Sequence, residues 1–206
     1  MFQRNYNSEL LEDAVDQIAT LPGVGRRTAL RLALHLLGQP AQNVEHFTTA
    51  ISRLRNDLKF CPLCNMISDD GVCPICSDKR RDRSLVCVVE SLRDVFSIEE
   101  TGQYKGLYHI LGGIISPMDG VGPGDLPIEA LVERVRGGEV REVILALSTS
   151  MEGETTSFYI CRQISGFPVK ITAIARGVGF GDDLEYTDSL TLGRSLENRQ
   201  PFELQR

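Results

Sequence analysis

The chain has 206 residues, which is enough for one or two domains with a sizeable core. It contains 22 Lys and Arg against 28 Asp and Glu, for a formal net charge of −6, and no tryptophan. No apolar run approaches the roughly 18 residues that a membrane span needs, and the polar start lacks the apolar core of a secretory signal. We therefore expect a cytoplasmic protein with no membrane partner.

The charge is distributed unevenly along the chain. Residues 1–83 hold 11 basic and 10 acidic side chains, a balance of +1, whereas residues 84–206 hold 11 and 18, a balance of −7. Total charge governs solubility and non-specific binding rather than a particular contact. A nucleic-acid contact in this chain must therefore come from a local basic patch.

Two amphipathic helices are predicted near the start of the chain, with a glycine turn between them. Apolar residues recur at helical spacing over residues 9–20, and a second helix is predicted over residues 26–37. In the intervening sequence LPGVG, Pro22 stops the first helix, and Gly23 and Gly25 allow a close approach to the backbone. The arrangement resembles the helix-hairpin-helix motif of sequence-nonspecific DNA-binding proteins.

That resemblance implies a phosphate-binding hairpin. The backbone N–H groups at Gly23, Gly25 and the start of the second helix can bind a phosphate without reading bases. Arg27 and Arg31 are four residues apart and so share one helical face beside the hairpin. An ordinary helical hairpin with solvated arginines is the alternative.

A third helix is predicted from about Asn43. Its apolar residues fall on one stripe, formed by Val44, Phe47, Ile51, Leu54 and Leu58. Basic residues occupy other positions of this helix, as is usual for a solvated face.

Four cysteines follow in two pairs of equal spacing, CPLC and CPIC, eight residues apart. Each Cys-x2-Cys turn directs two sulfurs to one side, so that two turns can complete a tetrahedron of thiolates around Zn²⁺. The predicted zinc ligands are Cys61, Cys64, Cys73 and Cys76. Because all four ligands are sulfur, no coordination site is left for water, and the metal is expected to be structural. The alternatives are four buried thiols, an iron site or two disulfides. Disulfides are disfavoured in a reducing cytosol.

The second half of the chain alternates predicted strands and helices. Strands are predicted at residues 84–89, 107–111, 143–147 and 169–174. Helices are predicted around residues 92–98, 128–135 and 152–165, and the Gly/Pro-rich stretch ISPMDGVGPGDLP is predicted to be irregular. Strands and helices alternating in this way predict a mostly parallel α/β sheet.

Acidic residues follow two of these strands, Glu90 after the first and Glu152-x-Glu154 after the third. The order resembles the Toprim domain of topoisomerases and primases, where a glutamate and an Asp-x-Asp pair bind Mg²⁺ for nucleotidyl transfer. Here two glutamates replace the aspartates, and no motif marks a tyrosine as nucleophile. We therefore expect a surface for a protein partner, with Mg²⁺ as an optional ligand that is not required. A metal-dependent nucleotidyl-transfer enzyme or nuclease, and an ordinary solvated edge, are the alternatives.

Taken in order, the LPGVG hairpin, the paired cysteines, the SMEGETT segment and the closing LEYTDSLTLGRSLENRQPF resemble the RecR family of bacterial recombination mediators over essentially the whole chain. The resemblance implies an α/β multidomain protein with a helix-hairpin-helix domain, a four-cysteine zinc finger, a Toprim-like α/β domain and a C-terminal extension. The implied domains are the helix-hairpin-helix domain (1–60), the zinc module with its linker (61–83), the Toprim-like domain (84–178) and the C-terminal segment (179–206).

The same resemblance implies a function. Proteins of this family are non-enzymatic DNA-repair factors of the nucleoid that assemble as ring-shaped tetramers around double-stranded and gapped DNA. They act with RecO and RecF to load RecA onto gapped DNA coated by single-strand-binding protein. Matching positions make Arg27 and Arg31 the implied DNA contacts, and Glu90, Glu152 and Glu154 the implied surface for RecO.

Overall fold

The computed structural model describes residues 6–179 and 181–199, and the chain divides into two compact units. The first unit ends at Leu58 and the second begins at Lys59. Within the described residues, no helix is both long enough and apolar enough to cross a membrane.

Three helices make up the first unit. They are α1 (Glu9–Ala19), α2 (Arg26–Leu37) and α3 (Ala41–Asn56). The hydroxyl of Ser8 caps α1 by accepting a hydrogen bond from the Leu11 N–H at 3.3 Å. The helices α1 and α2 pack around a small core of Val15, Ala29 and Ala33, whose short side chains let the two helices approach closely. Both helices match the predicted spans to within one residue.

The third helix has an exposed apolar stripe. It begins at Ala41, two residues before the predicted start, directly after Pro40. No residue of α3 is buried, and Phe47, Ile51 and Leu54 are 52%, 54% and 59% exposed. The stripe seen in the sequence therefore lies on the surface of the isolated chain.

The second unit opens with the segment that carries the cysteines. A short antiparallel hairpin joins β1 (Lys59–Phe60) to β2 (Ile67–Ser68), and the one-turn helix α4 (Pro74–Ser77) follows. Strands of two residues are too short to show a period of two, which is why the sequence did not predict this hairpin.

A four-stranded parallel sheet forms the body of the second unit. Its strands are β3 (Asp82–Val89), β4 (Gly106–Ile110), β5 (Glu142–Ala146) and β6 (Lys170–Ala173). The helices between them are α5 (Leu92–Glu100), α6 (Ile128–Arg136) and α7 (Met151–Ile164). The strand order is β4-β3-β5-β6, and every neighbouring pair is parallel. The predicted parallel α/β sheet is confirmed.

Both faces of the inner strand β3 are buried over its last four residues, as expected for a parallel sheet covered on two sides. Val86 and Val88 belong to one apolar cluster, which also contains residues of α6 and α7. Cys87 and Val89 point to the other face and join the cluster that contains the four paired cysteines. The sheet therefore positions the cysteine turns on one of its faces.

The C-terminal segment adds a 3-10 turn (Leu184–Tyr186) and helix α8 (Ser189–Glu197). The side chain of Asp188 caps α8. Residues 1–5 of the predicted first domain, and residues 180 and 200–206 of the predicted C-terminal segment, lie outside the described residues.

Candidate DNA-binding hairpin, zinc centre and acidic edge

The turn between α1 and α2 presents backbone rather than side chains. Gly23 has φ +79°, a left-handed conformation that favours glycine. Gly25 is the N-cap residue of α2 with φ −78°, which any residue can adopt, and a Cβ built there would meet no atom within 4 Å. No side chain caps the first turn of α2. The amides of this turn are therefore open to a ligand, in the manner of an anion-binding helix terminus.

The three arginines at the start of α2 have different surroundings. Arg26 pairs with two acids of α1, namely Glu12 at 3.1 Å and Asp16, and so ties α1 to α2. Arg27 and Arg31 are exposed, and neither forms an ion pair with any described residue. The sequence places Arg27 and Arg31 beside the hairpin, and the structure adds that the adjacent Arg26 is paired whereas those two are not.

The four cysteines come together in one buried cluster. Their Sγ atoms all lie within 4.8 Å of one another, and the Sγ atoms of Cys64 and Cys73 are 3.5 Å apart. Zn–S bonds of about 2.3 Å in a tetrahedron place sulfurs about 3.8 Å apart, so this cluster has the right size for zinc. All four cysteines are free thiols, which excludes the two disulfides. The donor set fits a structural zinc site.

Local turns aim these sulfurs inward. In the first turn, the Asn65 N–H donates to the Cys61 carbonyl at 2.9 Å, and Asn65 has φ +62°, which Asn tolerates better than most residues. In the second turn, Cys73 is the N-cap of α4, and the Cys76 N–H donates to the Cys73 Sγ at 3.4 Å.

The thiols influence one another strongly. The hydrogen bond from Cys64 lowers the pKa of Cys76 to about 6, while burial opposes this change. The same hydrogen bond, together with burial, raises the pKa of Cys64. A metal ion bound here would deprotonate these thiols, because the thiolate is the coordinating form.

Backbone and side-chain hydrogen bonds attach the first cysteine turn to the sheet. The Ile110 N–H donates to the Cys64 carbonyl at 2.9 Å, and the Asn65 side chain donates back to the Ile110 carbonyl at 3.1 Å. The cluster also packs against apolar side chains of β3 and α5, including Val89 and Val95. The zinc centre is thus part of the core of the second unit.

The basic segment 79–83, which was predicted to be a linker, is held by hydrogen bonds to the second unit. The Arg81 guanidinium donates to Glu99 at 2.9 Å and to the Gly106 carbonyl at 3.1 Å, and the Tyr108 hydroxyl donates to Glu99 at 2.7 Å. The last two residues of the segment already belong to β3. The acid that holds Arg81 lies 18 residues away in the sequence, so no local pattern signals this contact.

The acidic edge lies where β3 and β5 end. The Glu90 side chain accepts a hydrogen bond from the Ser148 N–H, which joins the ends of the two strands. Ser150 caps α7 by accepting from the Gly153 N–H at 3.0 Å. A Cβ at Gly153 would overlap the backbone oxygen of Ser148, so glycine is required between the two glutamates.

The two glutamates of α7 differ in their surroundings. Glu154 pairs with Arg176 and lies 3.6 Å from Arg194 of α8. Glu152 is half-buried, and its side chain makes no hydrogen bond to a described residue. Within the described residues, the cysteines form the only group of three or more ligating side chains close enough to share a metal ion. Glu90, Glu152 and Glu154 are therefore not arranged as a metal site here.

Sequence reasoning missed the arginines that complete these sites. The sequence did not single out Arg176 or Arg194 as partners of Glu154, nor Arg134 of α6, which reaches the first cysteine turn. No local pattern signals such partners, since each pair joins residues that are far apart in sequence.

Comparison with known proteins agrees with this architecture. Four family models match the chain in order. They are the RecR helix-hairpin-helix model over residues 11–55, the RecR four-cysteine zinc finger model over 58–78, the Toprim domain model over 84–175, and the RecR C-terminal model over 177–200.

Similar proteins match nearly from end to end. A protein of Parabacteroides distasonis named "Recombination protein RecR" is 58% identical over 98% of this chain and 97% of that protein. Proteins of the same name from Phocaeicola vulgatus and Porphyromonas gingivalis are 60% and 57% identical, each over 97% of this chain and at least 96% of the relative. The cysteine cluster is accordingly a four-cysteine zinc finger, and the chain belongs to the RecR family of recombination proteins.

Proposed function

We propose that the protein is a DNA-binding mediator of recombinational repair that works without catalytic turnover. In this proposal it acts in the cytoplasm, at the nucleoid, with RecO and RecF to promote RecA loading onto gapped DNA coated by single-strand-binding protein. The observation that carries the proposal is the uncapped glycine hairpin with Arg27 and Arg31 exposed and unpaired among the described residues.

The hairpin suits phosphate rather than bases. Gly23 and Gly25 leave the backbone amides accessible, and the positive end of α2 favours an anion. Arg27 and Arg31 add two charges on the adjacent turns. Such contacts position a protein on DNA without reading sequence, and their strength falls as salt rises.

Assembly into a ring-shaped homotetramer is part of the proposal. Phe47, Ile51 and Leu54 of α3 form an apolar surface, and such surfaces usually mark an interface. A single hairpin with two arginines is a weak site on a protein of net charge −6. Several copies in one assembly raise the effective concentration of phosphate contacts.

The acidic edge is proposed as the surface that meets RecO. The Glu90 side chain accepts a hydrogen bond from the Ser148 N–H, and Glu154 forms an ion pair with Arg176. The Glu152 side chain makes no hydrogen bond to a described residue and can therefore accept one from a partner. A guanidinium beside Glu154 supplies positive charge where a Toprim enzyme binds a metal ion. This pairing supports a binding role for the edge over nucleotidyl transfer.

The decisive experiment compares two double variants by fluorescence anisotropy on duplex and gapped oligonucleotides. Arg27→Ala with Arg31→Ala should weaken binding at fixed salt, and should reduce the salt slope by about 2 for each engaged hairpin. The control, Arg80→Ala with Arg136→Ala, removes the same charge from arginines that pair locally with Asp78 and Glu133. Equal affinities for the two variants would contradict the assignment of the hairpin as the DNA contact.

A further inference from the structure

Two arginines of the sheet body donate to the backbone of the cysteine turns. Arg134 of α6 donates from Nη1 to the carbonyl of Leu63 at 3.4 Å and to the carbonyl of Tyr108 at 2.8 Å. Arg83 of β3 donates to the carbonyl of Cys76 at 3.2 Å. Leu63 immediately precedes Cys64, so both arginines hold peptide groups next to zinc-binding sulfurs.

Arg134 is half-buried and lacks an acidic partner. No Asp or Glu among the described residues forms an ion pair with it, and the neighbouring Glu133 pairs with Arg136 instead. Removing a guanidinium from water is unfavourable unless a negative group compensates it. Two backbone carbonyls accept hydrogen bonds from its Nη1, but they do not neutralise its charge.

The cysteine cluster supplies the missing negative charge. Four thiolates around Zn²⁺ carry a net charge of −2, and here they are buried among Val89, Val95 and Ile110. A charge in such surroundings is poorly solvated. The Leu63 carbonyl that accepts from Arg134 belongs to the peptide group that joins Leu63 to the ligand Cys64. The guanidinium therefore lies beside the cluster.

We propose that Arg134 is a positioning residue of the zinc centre. It holds the first cysteine turn through the Leu63 carbonyl and acts as counter-charge to the tetrathiolate, with Arg83 in a lesser role at the second turn. Removing Arg134 should leave the four ligands in place but make the ion easier to extract.

Zinc release tests the proposal on the full-length protein. The folded, zinc-loaded protein is mixed with an excess of a chromogenic chelator, and the rate of colour development is followed. Loss of a group next to the ligands typically weakens metal binding about 10- to 100-fold, and we expect Arg134→Gln to release zinc faster by a factor in this range. Arg134→Lys, which keeps the charge, should fall between Arg134→Gln and the unmodified protein.

The control is Arg136→Gln, which removes the same charge from the same helix but from a side chain paired with Glu133. Its release rate should be that of the unmodified protein. The proposal is overturned if Arg134→Gln releases zinc at the unmodified rate, or if Arg134→Lys releases it as fast as Arg134→Gln. Should Arg134→Gln fail to fold by circular dichroism, Arg83→Gln decides: faster release supports the proposal, and an unchanged rate overturns it.

Discussion

The exposed stripe on α3 makes a specific prediction about assembly. If Phe47, Ile51 and Leu54 form a contact between copies of the chain, replacing Ile51 and Leu54 with glutamine should weaken the assembly. Glutamine has a helix propensity close to that of leucine, so the helix itself should remain intact. The perturbation is therefore directed at the surface and not at the fold.

The size of the effect follows from the exposure of the side chains. Fully burying an Ile or Leu side chain stabilises by about 1.5–3 kcal/mol, and 54% of Ile51 and 59% of Leu54 remain exposed in the single chain. Burying the part of each side chain that is still exposed should therefore contribute about 1 kcal/mol to the free energy of association. In a two-fold contact both copies lose both residues, so the loss is about 4 kcal/mol, or roughly a 1000-fold weaker association.

Native mass spectrometry and sedimentation over a dilution series measure this change directly. The double variant should dissociate at protein concentrations where the unmodified protein remains assembled. Met118→Gln is the control, because Met118 is 93% exposed but lies in a 3-10 turn (Pro117–Asp119) of the second unit. An assembly of unchanged mass at every concentration would show that the α3 stripe is not the contact.

Two further predictions concern stability. Gly153→Ala should lower the melting temperature, because the added Cβ would overlap the Ser148 oxygen and overpacking costs about 1–3 kcal/mol. The control is Gly166→Ala, where an added Cβ meets no atom within 4 Å. Equal melting temperatures for the two variants would refute the clash. Burial lowers the pKa of His109 from 6.5 to about 4, so the unfolded chain binds more protons between these pH values. Stability from His109 is therefore complete above pH 6.5 and is lost as pH falls toward 4, by about 2 kcal/mol at pH 5. The test variant is His109→Gln, whose amide can still donate to the Pro127 carbonyl. In thermal melts it should lose less stability between pH 7.5 and pH 5 than the unmodified protein does. An identical loss in the two proteins would show that His109 is not the titrating group.

The features that the sequence predicted correctly are those with a local signal. The spacing of Cys61, Cys64, Cys73 and Cys76 depends only on turn geometry, and the apolar run of β3 depends only on burial of both faces of a strand. The turn conformation at Gly23 is of the same kind, since its φ of +79° is a property of one residue, whereas its phosphate contact stays a prediction.

What the sequence could not predict depends on contacts between distant residues. Arg26 and Arg27 are neighbours with the same side chain, yet only Arg26 meets acids of α1. Glu154 looked like a free carboxylate because its partner Arg176 is 22 residues away. The exposed stripe of α3 shows the same limit, because apolar periodicity reveals that a face must be covered but not whether its own chain covers it.

Under the proposed function, the ion pairs of Arg26 explain how an acidic protein can hold a polyanion. At physiological salt, charges interact over a Debye length of about 8 Å, so carboxylates farther than this from a bound phosphate contribute little to binding. What counts is the local balance at the hairpin, where the guanidinium of Arg26 offsets part of the negative charge of Glu12 and Asp16 and holds both carboxylates. Neither Arg27 nor Arg31 pairs with these acids, so under the proposed function both are available to a bound phosphate. In that proposal the internal salt bridge contributes more to DNA binding than its own modest stability would suggest, because it reduces the negative charge beside the proposed contact.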